Sequence, residues 1–210
     1  MNNKAIICPA LRYLRAIDQL PADEHGRVKA SAVFRSMQDN LKLTGPMAGL
    51  LTTMSFVSNH PLQTLKNIRL GSFMPGRMRA GILHHPTDTG ILGSGTFDED
   101  RWAMLAAMSS DGVALSLEDV SGLVAVDYAR DGSRIGAMMS IIELGSIVVV
   151  FGEQAEDGGA QIKLATLRAL YEGRIPEGWC PVHAYGIRSL TRVIGRISRK
   201  LPTAPGMLWA

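Results

Sequence analysis

Cysteine is almost missing from this chain: Cys8 and Cys180 are the only two thiols in 210 residues. Two cysteines cannot build a disulfide framework, which suits a reducing compartment and makes a cytoplasmic protein the expectation. A strong charge imbalance is also missing. A formal net charge of +3 gives no argument for a nucleic-acid partner. The opening residues Met1-Asn2-Asn3-Lys4-Ala5-Ile6-Ile7 contain no apolar signal region and no cleavage site, so no signal peptide is expected. Long apolar runs are absent too. Met139 to Phe151 is apolar but short, and Glu143 interrupts it, so no transmembrane segment is expected. Strand signals are scarce and no repeat stands out.

What is present is ordinary for a globular protein with a full core: 46% hydrophobic and 20% charged residues. The expected fold is mainly α, a single helical domain over residues 1–188 with at most a short hairpin, followed by a basic helix and tail over 189–210. Helices are predicted over 9–20, 31–43 and 47–58, with Val33, Phe34, Met37 and Leu41 on one face of the second and Ser31 as its cap. Residues 22–29 read as a polar turn. Further helices are predicted over 96–108, 117–130, 137–151, 162–171 and 189–200. Ser116 and Asp119 have the spacing of a capping box before the helix at 117. The loop 152–160 reads as flexible and acidic. In the last helix Arg192, Arg196, Arg199 and Lys200 surround Leu190, Val193, Ile194 and Ile197, a basic amphipathic pattern.

Two residues stand out chemically. Cys8 precedes Pro9, and an apolar helical run follows. Proline is favoured at the first helical position, where its missing N–H has no partner to lose. That places Cys8 at the N-cap, facing unpaired amides and the positive end of the helix dipole, both of which favour a thiolate. Such a thiolate serves as a nucleophile, a redox sensor or an axial haem ligand. Glu143 lies among Met138, Ile142, Ile147 and Val148. Buried and unpaired, a carboxylate there costs several kcal/mol. It therefore needs a partner, a raised pKa or a cavity, and a raised pKa suits a proton-shuttling group. A third, weaker signal is the turn His84-His85-Pro86-Thr87-Asp88-Thr89-Gly90, polar between apolar runs. The basic stretch Lys66, Arg69, Arg77 and Arg79 offers cations for an anionic group such as a propionate.

Taken in order, these pieces resemble the fungal-type haem-thiolate peroxidases, the chloroperoxidase and unspecific peroxygenase family also called peroxidase family 2. Cys8-Pro9-Ala10-Leu11 resembles the family's Pro-Cys-Pro-Ala-Leu opening, with Ile7 in place of the first proline. Leu20-Pro21 and Gly26-Arg27 are similar to the turn that follows it. His84-His85-Pro86-Thr87-Asp88 falls where the family has Glu-His-Asp or Glu-Gly-Asp, then a spacer and a serine. Phe97 suits the segment after it. Glu143-Leu144, running to Phe151-Gly152, resembles the distal glutamate helix, and Arg174-Ile175-Pro176 with Gly178-Trp179 the closing signature. A fainter likeness to caleosins, His-ligated haem peroxygenases, lies in His85 to Gly90 and Leu115-Ser116-Leu117.

The resemblance implies haem b as cofactor, with Cys8 as the iron's thiolate ligand and Pro9 beside it. It implies Glu143 as the acid–base group acting on hydrogen peroxide, His85 orienting Glu143, and a small organic substrate. In the family a magnesium ion lies near a haem propionate. Here His84 replaces its glutamate ligand, Pro86 the following aspartate, and Asp88 stands where the serine ligand would be. Two other classes fit the same residues: a haem protein with sensing or rearrangement duties, for which Cys180-Pro181 is a second Cys-Pro pair, and a haem-free helical interaction protein using 189–200.

Overall fold

The computed structural model describes residues 8–24, 27–59, 67–69, 99–131, 134–154, 159–172, 174, 179–180 and 185–200. About two thirds of these are helical, so the expectation of a mainly α chain holds. They fall into two compact units, each assembled from two stretches of chain. One comprises residues 1–78 and 166–188, the other 79–165 and 189–210.

The first unit begins with α1 (Pro9–Ala16). It opens as its sequence dictates: Cys8 is the N-cap in extended conformation and Pro9 opens the first turn. The helix stops at Ala16, earlier than predicted, because Asp18 turns into the left-handed region at φ 56°. The Asp18 N–H returns to the Arg15 carbonyl and the Gln19 N–H to the Leu14 carbonyl, the paired bonds of a Schellman ending. Aspartate tolerates this backbone better than most residues, so the stop carries no glycine signal. Leu11 and Leu14 point inward, and Leu20 is buried after the turn.

Strand β1 (Arg27–Lys29) follows where a turn was expected, pairing antiparallel with β2 (Asn67–Arg69) in the register Val28↔Ile68. Val28 is buried while both its neighbours are exposed, an alternation too brief to be read from sequence. β1 runs directly into α2 (Ala30–Leu41), so Lys29 is the N-cap in place of Ser31. The predicted face of α2 is the buried one: Val33, Met37 and Leu41 are enclosed, with Phe34 partly covered. Helix α3 (Gly45–Asn59) has Pro46 in its first turn, packs against α2, and buries Met47, Ala48 and Thr52. The Thr52 hydroxyl lies 3.8 Å from the Met37 sulfur. Helix α7 (Leu164–Glu172), whose residues from 166 belong to this unit, buries Leu167, Ala169, Leu170 and Tyr171.

The second unit is built on two helices, α5 (Leu117–Asp131) and α6 (Arg134–Phe151), packed against each other. The predicted capping box is present. The Ser116 hydroxyl accepts the Asp119 N–H at 3.1 Å, and the Asp119 carboxylate accepts the Ser116 N–H at 2.8 Å. Just upstream, the Asp111 carboxylate accepts the Val113 and Ala114 amides, which hold its carboxyl below the ordinary aspartate range. Helix α4 (Glu99–Ala106) precedes that turn and buries Trp102 and Leu105.

A small antiparallel sheet, β3–β5–β4, completes this unit. It consists of β3 (Ala114–Ser116), β4 (Glu153–Gln154) and β5 (Ala160–Lys163). This corrects two expectations. Part of the supposed acidic loop is strand, and 160–163 extend as a strand before α7 begins at Leu164. Ile162 is buried opposite Leu115, and four residues are too few to separate a strand pattern from a helical one. Helix α8 (Ile187–Lys200) lies over Gly145 of α6, where Leu190, Val193 and Ile194 approach closely.

Gly152 joins α6 to β4 where a Cβ would collide with the carbonyl oxygens of Val148 and Gln161. Because both obstacles are backbone, Gly152→Ala should destabilise by roughly 1–3 kcal/mol. A lower denaturant midpoint at unchanged slope is the expected result of urea unfolding.

Candidate functional site

Cys8 is half-buried at the head of α1, and neither cysteine is in a disulfide. Its carbonyl accepts the Arg12 N–H at 2.9 Å, the first bond of the helix, while its thiol makes no capping bond to the helix amides. The sulfur thus stands at the positive end of α1 without being committed to closing it.

One turn further, Arg12 occupies the position that an i,i+4 spacing brings onto the same face. It is 2% exposed, an unusual depth for a guanidinium. Its Nη1 donates to the Tyr171 carbonyl in the last turn of α7, where helix carbonyls lack partners of their own. Burial lowers the Arg12 pKa from its ordinary value, and the charges of Tyr171 and then Cys8 work the other way. Arg12 thus carries a buried positive charge between a helix C-terminus and the neighbourhood of the thiol.

Tyr13 extends this cluster. It is buried, and its ring meets Trp179 edge to face with centroids 4.9 Å apart and planes at 84°. Burial raises the phenol's pKa, and the nearby charge of Cys180 adds to the rise. Residues 179–180 are therefore brought beside α1, and Cys180 itself is exposed. Arg174 pairs with Glu172, which also holds Arg168 at 2.8 Å. Burial raises the Glu172 pKa, and the two arginines outweigh it to leave the group below the ordinary range.

Glu143 belongs to the other unit, on α6. Its side chain is half-buried, while Leu144, Ile147 and Val148 nearby are enclosed. Ser146, one turn along the same face, holds a buried hydroxyl with no hydrogen-bond partner among the described residues. A hydroxyl left so costs about 1–3 kcal/mol. Glu143 and Ser146 form a polar step in the mostly apolar C-terminal half of α6.

His84, His85 and Asp88 lie outside the described residues, as do the backbone at Gly26, Arg77 and Arg79; of Pro9 only the backbone is described. Sequence reasoning passed over Arg12, Tyr13 and Ser146. The i,i+4 spacing from Cys8 was the available signal for Arg12, whereas a Tyr13–Trp179 contact has none. Among the described residues no three His, Cys, Asp or Glu side chains gather as a metal site, and no helix is long and apolar enough to cross a membrane.

A haem iron takes a single thiolate from the protein, and the donor chemistry at Cys8 fits one: a half-buried sulfur at a helix N-terminus, uncommitted to capping, with a buried guanidinium one turn away. The unpartnered Ser146 hydroxyl beside Glu143 fits a polar ligand atom. No family model matches the chain, and no curated protein matches its sequence.

Proposed function

We propose that this chain is a haem-thiolate peroxygenase or peroxidase, using hydrogen peroxide to oxidise or oxygenate a small organic molecule. The observation carrying the proposal is Cys8, a half-buried thiol at the N-cap of α1 with the buried Arg12 guanidinium one turn away. When bound, haem b with a thiolate ligand supplies O–O cleavage of peroxide and the oxidising power that follows. The chain's own residues do the rest. Cys8 would hold the iron as thiolate, a form that the α1 N-terminus and the Arg12 charge both favour. Glu143 would take a proton from one peroxide oxygen and return it to the other, which leaves as water, the remaining oxygen passing to the organic substrate. His85 orients the Glu143 carboxylate. Of the residues that the resemblance sets at the magnesium position, Asp88 could still act as a ligand whereas His84 replaces the family's glutamate, and the cytoplasm is the compartment proposed.

The test is an absorption spectrum of the protein expressed with a haem supply, before and after dithionite and carbon monoxide. A strongly red-shifted ferrous–CO band is expected, and Cys8→Ser should abolish it. A band at the position usual for histidine ligation would move the ligand to His85. Absence of haem would overturn the proposal.

A further inference from the structure

The last helix, α8, presents charge of one sign to the surface. Arg188, Arg192, Arg196 and Arg199 are all exposed, and α8 contains no acidic residue. At 100° per residue these four positions fall within about 80° of arc and extend along about 17 Å of helix. Among the described residues no salt bridge reaches Arg192, Arg196 or Arg199. Arg199 donates to the Gly195 carbonyl of its own helix at 3.1 Å, which leaves both terminal guanidinium nitrogens for another acceptor. The opposite side is occupied. Leu190, Val193 and Ile197 are buried, with Leu190, Val193 and Ile194 over Gly145 and the Ile197 carbonyl accepting the Ser121 hydroxyl at 3.4 Å.

The composition of this face selects among anionic partners. A single-stranded nucleic acid needs aromatic platforms for its bases, and α8 has no Trp, Tyr or Phe. A peptide partner needs a row of apolar anchors, and beyond the exposed Ile187 at its first position α8 offers none: Leu190, Val193 and Ile197 are buried, and Ile194 packs over Gly145 of α6. A surface that asks only for a row of cations is a layer of anionic headgroups, where each arginine contributes independently. We infer that the Arg192–Arg196–Arg199 stripe of α8 is a docking surface for an anionic lipid bilayer. The helix adsorbs without inserting, because its apolar side is committed to the protein interior. Attachment is therefore electrostatic, reversible and sensitive to salt. This inference is independent of haem binding.

Cosedimentation of the full chain with vesicles tests it. The protein should bind phosphatidylcholine vesicles containing phosphatidylglycerol, stay in solution with phosphatidylcholine alone, and come off at about 1 M salt. Arg192→Gln, Arg196→Gln and Arg199→Gln should each weaken binding about fivefold, and the triple variant about a hundredfold. The corresponding triple lysine variant should keep most of the binding. All three positions are exposed, so a thermal melt matching wild type accompanies each variant. Equal binding to neutral vesicles, an unaffected triple glutamine variant, or displacement from the vesicles by a single-stranded oligonucleotide at equal phosphate concentration would each overturn the inference.

Discussion

Under the proposed peroxide chemistry, Glu143→Gln should lower peroxide-dependent turnover by about 10²–10⁴-fold, the usual worth of a positioned acid–base group. The substitution is close to isosteric, so it opens no cavity on α6 and leaves Leu144, Ile147 and Val148 packed as they are. What it removes is the capacity to accept a proton at one atom and deliver it to another. Haem uptake and the ferrous–CO band, which report on Cys8, should match wild type. Initial rates at saturating peroxide, set beside that spectrum, separate the two residues. A variant that keeps its turnover would take the proton shuttle away from Glu143 and leave the thiolate assignment standing.

Arg12→Ala should cost about 2–4 kcal/mol of folding stability. The loss has two sources. The Tyr171 carbonyl, buried in the last turn of α7, loses its donor, worth about 1–3 kcal/mol. The two stem carbons beyond Cβ of a nearly enclosed side chain also disappear, leaving a void between α1 and α7. Arg12→Met keeps most of the stem and removes only the donor and the charge. Because it also relieves the desolvation of a buried guanidinium, its cost should be the smaller of the two. Urea unfolding of both variants gives the measurement. If alanine costs less than about 1 kcal/mol, desolvation of Arg12 cancels what its hydrogen bond returns.

Two helix beginnings, those of α1 and α5, were legible because the residues that satisfy a helix N-terminus are chemically distinctive; the start of α2 was not, since its cap is Lys29 and not Ser31. Pro9 after Cys8 and the Ser116/Asp119 pair mark the starts of α1 and α5 where they occur. The buried face of α2 was equally plain, since Val33, Met37 and Leu41 repeat with the turn of the helix. Endings were harder. α1 stops on an aspartate in the left-handed region, a residue that carries no stop signal of its own. Strands of two to four residues, such as β4 and β5, hold only one or two cycles of the alternation that would announce them, too few to tell from a helical repeat.

For the site, the thiol's place at a helix N-terminus followed from local rules. The burial of Arg12 did not. An arginine is normally read as a surface residue, and the carbonyl that receives Arg12 lies 159 positions away. The Tyr13–Trp179 contact is equally remote in sequence. The split of the chain into two units was hidden for a related reason: each unit is closed by a segment that follows the bulk of the other, so no linker marks a boundary.

That interleaving sets the order in which the molecule can mature on the ribosome. The carbonyl that receives Arg12 is made 159 residues after it. At about 5–20 residues per second, roughly 10–30 s separate the two during synthesis. Throughout that interval the nascent segment holding Cys8 lacks the helix that later covers its neighbour. Co-translational closure of the first unit must therefore wait for α7, and a thiol destined to be half-enclosed spends its first seconds open to whatever electrophile, oxidant or cofactor the growing chain meets.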